Sequence, residues 1–127
     1  MATNPLFIYH PPTDEQKVLY ERLAEAYAGV YRVMTKALRA LGKRPAQPED
    51  YDAITDACEG YYNVIMEVCP ASADRTAAIR CLRLARNAMN DCLRLPEDRS
   101  VFWTLAEQEL IKCRYQAHAS IALDGKV

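Results

Sequence analysis

The sequence has no surplus of charge of either sign: 16 lysines and arginines face 17 aspartates and glutamates, a net charge of −1 at pH 7. A protein that coats a long polyanion usually carries a basic domain, so binding of long nucleic acid is set aside. No stretch is long and apolar enough to span a bilayer. The start, "MATNPLFIYHPP", lacks the charged residues and apolar run of a secretory signal. The expectation is a cytoplasmic protein with no membrane partner. Five cysteines (Cys58, Cys69, Cys81, Cys92, Cys113) are odd in number and include no C-x-x-C pair, and neither His10 nor His118 stands at ligand spacing from one. This argues against a zinc site and for small buried thiols in a reducing compartment. Also missing are a glycine-rich phosphate loop, an H-E-x-x-H pair, and a Ser/His/Asp order with supporting motifs. No cofactor, no metal and no enzymatic activity is expected.

What is present is ordinary globular material. The 127 residues are half apolar and about a quarter charged, enough for one domain with a single modest core (1–127). Residues 1–12, with Pro5, Pro11 and Pro12, read as an extended arm. Thr13 with Gln16 is a capping-box signature opening a first helix. In it Leu19, Leu23, Ala26, Val30, Val33, Ala37 and Leu41 recur every three or four positions, and Gly42 ends it. After the proline-punctuated "RPAQPED", a second helix carries Tyr51, Ile54, Cys58, Tyr61, Ile65 and Val68 on one stripe and closes at Cys69–Pro70. Ser72 caps a third helix running to about Arg94, and the short connection predicts an antiparallel hairpin over 51–94. Pro96 opens a fourth helix with Phe102, Ala106, Leu110, Cys113, Ala117 and Ile121 as its core face. No period-two pattern of useful length occurs. The fold class is all-α, a small bundle of about four helices around a central antiparallel hairpin.

Charge is concentrated in "DRTAAIRCLRLARN", residues 74–87, which holds Arg75, Arg80, Arg83 and Arg86. At 100° per residue, Arg80, Arg83, Asn87, Asn90 and Arg94 fall in a wedge of about 80°, opposite Ala78, Leu82, Ala85, Met89 and Cys92. Guanidinium forks suit phosphate oxygens, and amides suit base edges or sugar hydroxyls. The same residues also suit a plain solvated helix face. Arg75 and Thr76 stand in a first helical turn, where free backbone N–H groups favour an anion. In the arm, Tyr9 can stack on a purine and His10 can donate to a phosphate, or the rings simply fasten a loose terminus to the hairpin. Tyr20, Tyr27 and Tyr31 share a side of the first helix, widening the core or lining a subunit contact. Trp103 reads as a packing anchor, and His118 as a satisfied lone histidine.

"FIYHPP" at 7–12 and "CPASADRTAAIRCLRLARNAMN" at 69–90 resemble the hairpin family of phage-encoded cyclic-nucleotide sponges, the anti-CBASS class whose hairpin is shared with anti-Thoeris sponges. The family pattern joins an aromatic-x-Tyr-His-x-Pro arm to a Cys-Pro helix end. There follows Ser-x-acidic-basic-(Ser/Thr)-x-Ala-aliphatic, then a spaced Leu, Ala and Asn. Ser72, Asp74, Arg75, Thr76, Ala78, Ile79, Leu82, Ala85 and Asn90 fill these places without a gap. The match covers the arm and the second and third helices, less than half of the chain. It departs from the pattern at the inserted first helix and linker, Thr13 to Asp50, at Ala88 where the pattern has tryptophan, and in its extra C-terminal helix.

The resemblance implies a homo-oligomer, a hexamer in the family pattern, that binds cyclic di- or trinucleotides at protomer junctions and does no chemistry on them. The setting would be the cytoplasm of the infected bacterial host, where capture blocks anti-phage immune signalling. It further implies Tyr9 on a base, His10 beside it, and Arg75 and Thr76 on phosphates, with Arg80, Arg83 and Asn90 as further ligand-binding residues. The alternative is an adaptor or inhibitor that engages a host protein complex through the Arg/Asn face or the tyrosine side, which needs only the amphipathic helices.

Overall fold

A computed structural model of the chain describes residues 11–122. Four helices follow one another, α1 (Asp14–Ala40), α2 (Pro48–Val68), α3 (Ala73–Arg94) and α4 (Arg99–Ala122), with no strand among the described residues. The all-α expectation holds. Thr13 Oγ1 accepts from the Gln16 backbone N–H at 3.1 Å, and Gln16 Oε1 accepts from the Thr13 N–H at 3.0 Å, completing the capping box. The same Gln16 side chain donates to the Ile121 carbonyl at 3.2 Å, pinning the start of α1 to the end of α4.

α2 begins three residues earlier than the apolar stripe suggested, because Pro48 is pre-set for a first helical position and Glu49 and Asp50 favour that end. The linker ahead of it is clamped. Asp50 receives both Arg44 guanidinium nitrogens, at 2.8 and 2.9 Å, and the Gln47 N–H at 2.8 Å. These bonds hold its carboxyl down at about 2. At the other end Cys69 is extended, as a residue before proline must be. Ser72 Oγ then accepts the Arg75 N–H at 3.1 Å and starts α3. Pro96 does not open α4 directly: Pro96–Asp98 forms a 3-10 turn, and the α-helix proper starts at Arg99.

The heaviest packing in the bundle is α3 against α4, rather than α2 against α3. The physical reason is side-chain size. Ala78, Ala85, Ala88 and Cys92 of α3 and Ala106, Cys113 and Ala117 of α4 are all at 3% exposure or less, and small buried residues let two backbones approach closely. Where α2 faces α3 the apolar side chains are larger, among them Tyr62, Ile79 and Leu82, and the outer edge of that seam stays open.

The tyrosine side of α1 packs onto α4. Tyr20 stacks on His118 with ring centroids 4.7 Å apart, Arg114 lies over Tyr27 at 5.1 Å, and Tyr31 donates to Glu107 at 2.9 Å beside Trp103. These rings widen the core, and Trp103 anchors it. His118 differs from expectation in one respect: its Nε2 is buried without a hydrogen-bond partner, and burial lowers its pKa.

Candidate functional site

α3 keeps one face in the core and one in the open, as its periodicity dictates. Ala78, Leu82, Ala85, Met89 and Cys92 are buried, whereas Arg80, Arg83, Asn87 and Arg94 are exposed. Among the described residues no carboxylate lies within 4.0 Å of Arg75, Arg80, Arg83 or Arg86. Arg94, by contrast, is neutralised by Asp91 at 2.7 Å. The upper part of α3 is thus a row of cations that the protein leaves uncompensated.

Two recesses lie along that row. The first, of about 210 Å³, runs between α2 and α3. Thr55, Cys58, Glu59 and Tyr62 line one side, and Ile79, Leu82, Arg83 and Arg86 the other. Its floor is apolar, its rim carries two guanidinium groups, and Tyr62 presents a ring that is 41% exposed. Glu59 brings one carboxylate into the same wall. Burial pushes the Cys58 thiol up to about 11, so it stays protonated near neutral pH and is a poor nucleophile. The second recess, of about 510 Å³, lies further along the helix, lined by Tyr51, Asn87, Asn90, Asp91 and Arg94. Asn90 Oδ1 is buried there with no hydrogen-bond partner. Arg86 joins the two: its Nε and Nη2 donate to Asn87 Oδ1 at 3.3 and 3.0 Å.

The residues singled out from the sequence divide among these places. Tyr9 and His10 lie outside the described residues. Arg75 folds back over the turn, donating from Nη1 to the Cys69 carbonyl at 3.3 Å. The Thr76 hydroxyl donates to the Ser72 carbonyl at 3.2 Å, which occupies its single proton. Arg80 is exposed and lines neither recess. Arg83 stands on the rim of the first recess and Asn90 in the second. Arg75 and Asn90 are separated by fifteen residues, about 22 Å along a helix, so they do not converge on one small ligand.

Sequence reasoning missed Tyr62, Thr55 and Glu59 as groove residues and placed Tyr51 wholly in the core stripe. A signal for the first three existed. Thr55, Cys58, Glu59 and Tyr62 follow the i, i+3, i+4, i+7 spacing that marks one strip of a helix, beside the apolar stripe and toward α3.

Among the described residues no group of three or more His, Cys, Asp or Glu side chains is placed to hold a metal ion. No helix there is long and apolar enough to cross a membrane. Comparison of the chain with protein-family models, with curated proteins and with solved structures finds no match.

Proposed function

We propose that the chain is a non-catalytic binding protein that sequesters cyclic di- or trinucleotides, withholding a second messenger from a bacterial anti-phage effector. The observation that carries this reading is the uncompensated arginine row of α3 beside the exposed ring of Tyr62. Arg83, without a partner among the described residues, is free to take phosphate oxygens bidentately, Arg86 keeps donors beyond the two it gives Asn87, and an exposed tyrosine offers a stacking surface for a base. The sequence resemblance over 7–12 and 69–90 supplies the ligand class, and the groove supplies chemistry of that kind.

The groove's size bears on assembly. A site for a small organic ligand is typically about 300–1,000 Å³, so the recess of about 210 Å³ holds a base or a phosphate rather than a whole cyclic dinucleotide. A second protomer would complete the site, in keeping with a homo-oligomer. Arg83 and Arg86 are the main phosphate contacts on this reading and Tyr62 the stacking ring. Asn90 lines the neighbouring recess, and Arg75, Arg80, Tyr9, His10 and Thr76 enter through the resemblance alone.

A sponge works by affinity and needs no general base or nucleophile. Isothermal titration with a panel of cyclic di- and trinucleotides tests the reading. Binding at micromolar Kd or tighter to at least one, with the ligand recovered intact, supports it. Absence of binding to all, or recovery of a linearised product, rejects it.

A second reading, an adaptor that engages a host protein, draws on the exposed apolar side chains of α4. A stoichiometric host partner whose capture survives Arg83→Ala and Arg86→Ala, with no nucleotide bound, would favour it.

A further inference from the structure

α4 breaks the rule that the other three helices follow. A surface helix of a globular protein buries one apolar stripe and turns a polar face outward. α4 buries Ala106, Leu110, Cys113, Ala117 and Ile121, and yet its outer side carries Val101, Leu105, Ile111 and Tyr115, exposed by 63, 41, 57 and 71%. Apolar residues on both sides mark a helix that has a second surface to cover.

We propose that this outer face of α4 is a two-fold interface with a second copy of the same chain, the two α4 helices lying antiparallel with Gln108 on the axis. The register follows from the spacing of the exposed apolar residues. In an antiparallel pair centred on residue 108, each position i faces position 216 − i of the partner helix. Val101 then meets Tyr115 of the other copy, Leu105 meets Ile111, and Gln108 meets Gln108. Every large apolar residue of the stripe is mapped onto another, which is the self-complementarity that an isologous interface requires. The positions are also those of a helix–helix seam: 101, 108 and 115 repeat every seven residues, with Leu105 and Ile111 between them. At the centre the two Gln108 amides can each donate and accept across the axis, satisfying one another.

Charge agrees with that partner. Lys112 is the one charged residue on the stripe, and it is already paired with Glu109 of its own chain at 3.2 Å. In the proposed register each Lys112 faces Thr104 of the other copy. The two ammonium groups stand eight residues apart along the axis, about 12 Å, beyond the screening length of ~8 Å at physiological salt. No like charges are forced together. The four exposed side chains form the apolar centre of the patch, with Thr104, Gln108 and Lys112 as polar neighbours along it. An exposed apolar patch rimmed by polar residues is the usual mark of an interaction site. The inference does not rest on the ligand reading, since α4 contributes no side chain to either α3 recess.

The test is a charge swap at the axis. Sedimentation equilibrium of the full chain at tens of micromolar should give a species of at least twice the 14.4 kDa chain mass. Gln108→Lys sets two cations face to face, and Gln108→Glu two anions, so each variant alone should weaken this pairing by 100-fold or more. Mixing the two should restore it as a heterodimer, with helical circular dichroism unchanged throughout. Ile111→Glu, which leaves the axis neutral, should also dissociate the pair and should not be rescued by mixing. A wild-type chain that stays monomeric would overturn the proposal. So would dissociated Gln108 variants that fail to recombine when mixed, which would assign the face to residues 1–10 or to a different protein. Nucleotide titration of the dissociated variants keeps this result separate from the sponge reading.

Discussion

Arg75 reaches back across the turn between α2 and α3 and donates from Nη1 to the carbonyl oxygen of Cys69, 3.3 Å away. The last four carbonyls of any helix lack intrahelical partners, and a cation there also complements the helix dipole. A residue marked out by sequence for anion binding is therefore part of the cap on α2. The two roles are compatible, because a guanidinium carries five N–H donors and this bond uses one. The cap holds the cation at the mouth of the hairpin turn.

Replacing Arg75 by alanine removes that bond. The expected loss of stability is about 1 kcal/mol, the net worth of a hydrogen bond from a charged donor at a partly exposed site. Urea denaturation gives the number. A change below about 0.3 kcal/mol would show that the contact with Cys69 carries no stabilisation.

Leu82 and Arg83 are sequence neighbours with opposite fates. Leu82 is 3% exposed under the groove, and Leu82→Ala should cost about 2–5 kcal/mol through lost burial and the cavity left behind. Arg83 is exposed and unpaired, so Arg83→Ala should change stability by about 0.5 kcal/mol or less. Denaturant midpoints at constant slope separate the two. A large destabilisation from Arg83→Ala would make that arginine structural.

Asp50 gives the fold a pH dependence of known sign. Its folded pKa, about 2, lies below the ordinary value near 4, so the unfolded chain takes up the proton first as pH falls. The stabilisation is complete above about pH 4 and disappears as pH drops toward 2. With its Arg44 partner 44% exposed, solvent screening reduces it to about 1–2 kcal/mol. The stability gap between wild type and Asp50→Asn should close over that window. A gap equal at pH 6 and pH 2.5 would assign the loss to packing instead.

Thiol chemistry checks the core. Cys58, Cys69, Cys92 and Cys113 are buried and Cys81 is only partly so; burial raises Cys58 to about 11 and Cys113 to about 12. With a disulfide exchange reagent at pH 8, one thiol per chain should react quickly, and Cys81→Ser should abolish that phase. Rapid modification of Cys58 or Cys113 would mean that the bundle opens far more readily than its packing implies.

Most of the fold was legible in the sequence because local signals are written in one place. Thr13 with Gln16, Ser72 ahead of Asp74, Gly42 and Pro70 mark helix ends by chemistry that needs no distant partner, and the apolar stripes gave the buried faces of all four helices. Two features depended on contacts between helices and were not legible. The dominance of the α3–α4 seam follows from alanines and cysteines meeting across two helices, and no one-dimensional period displays that pairing. The arginine cluster was visible as composition. Its division into a capping residue, a groove rim and an exposed side chain came from where α2 lies, which placed Tyr62 and Glu59 opposite Arg83. The Ser72 cap places Arg75 in the first turn of α3, but its bond to Cys69 requires the carbonyl to be freed by the extended backbone before Pro70.

Native mass spectrometry of the full chain, incubated with an equimolar mixture of cyclic di- and trinucleotides, reports subunit number and captured mass together. An oligomer carrying intact cyclic nucleotide is expected, with loss of that added mass in Arg83→Glu/Arg86→Glu while the oligomer persists. An oligomer or monomer that emerges with no nucleotide mass, at ligand concentrations of hundreds of micromolar, would contradict the sponge reading.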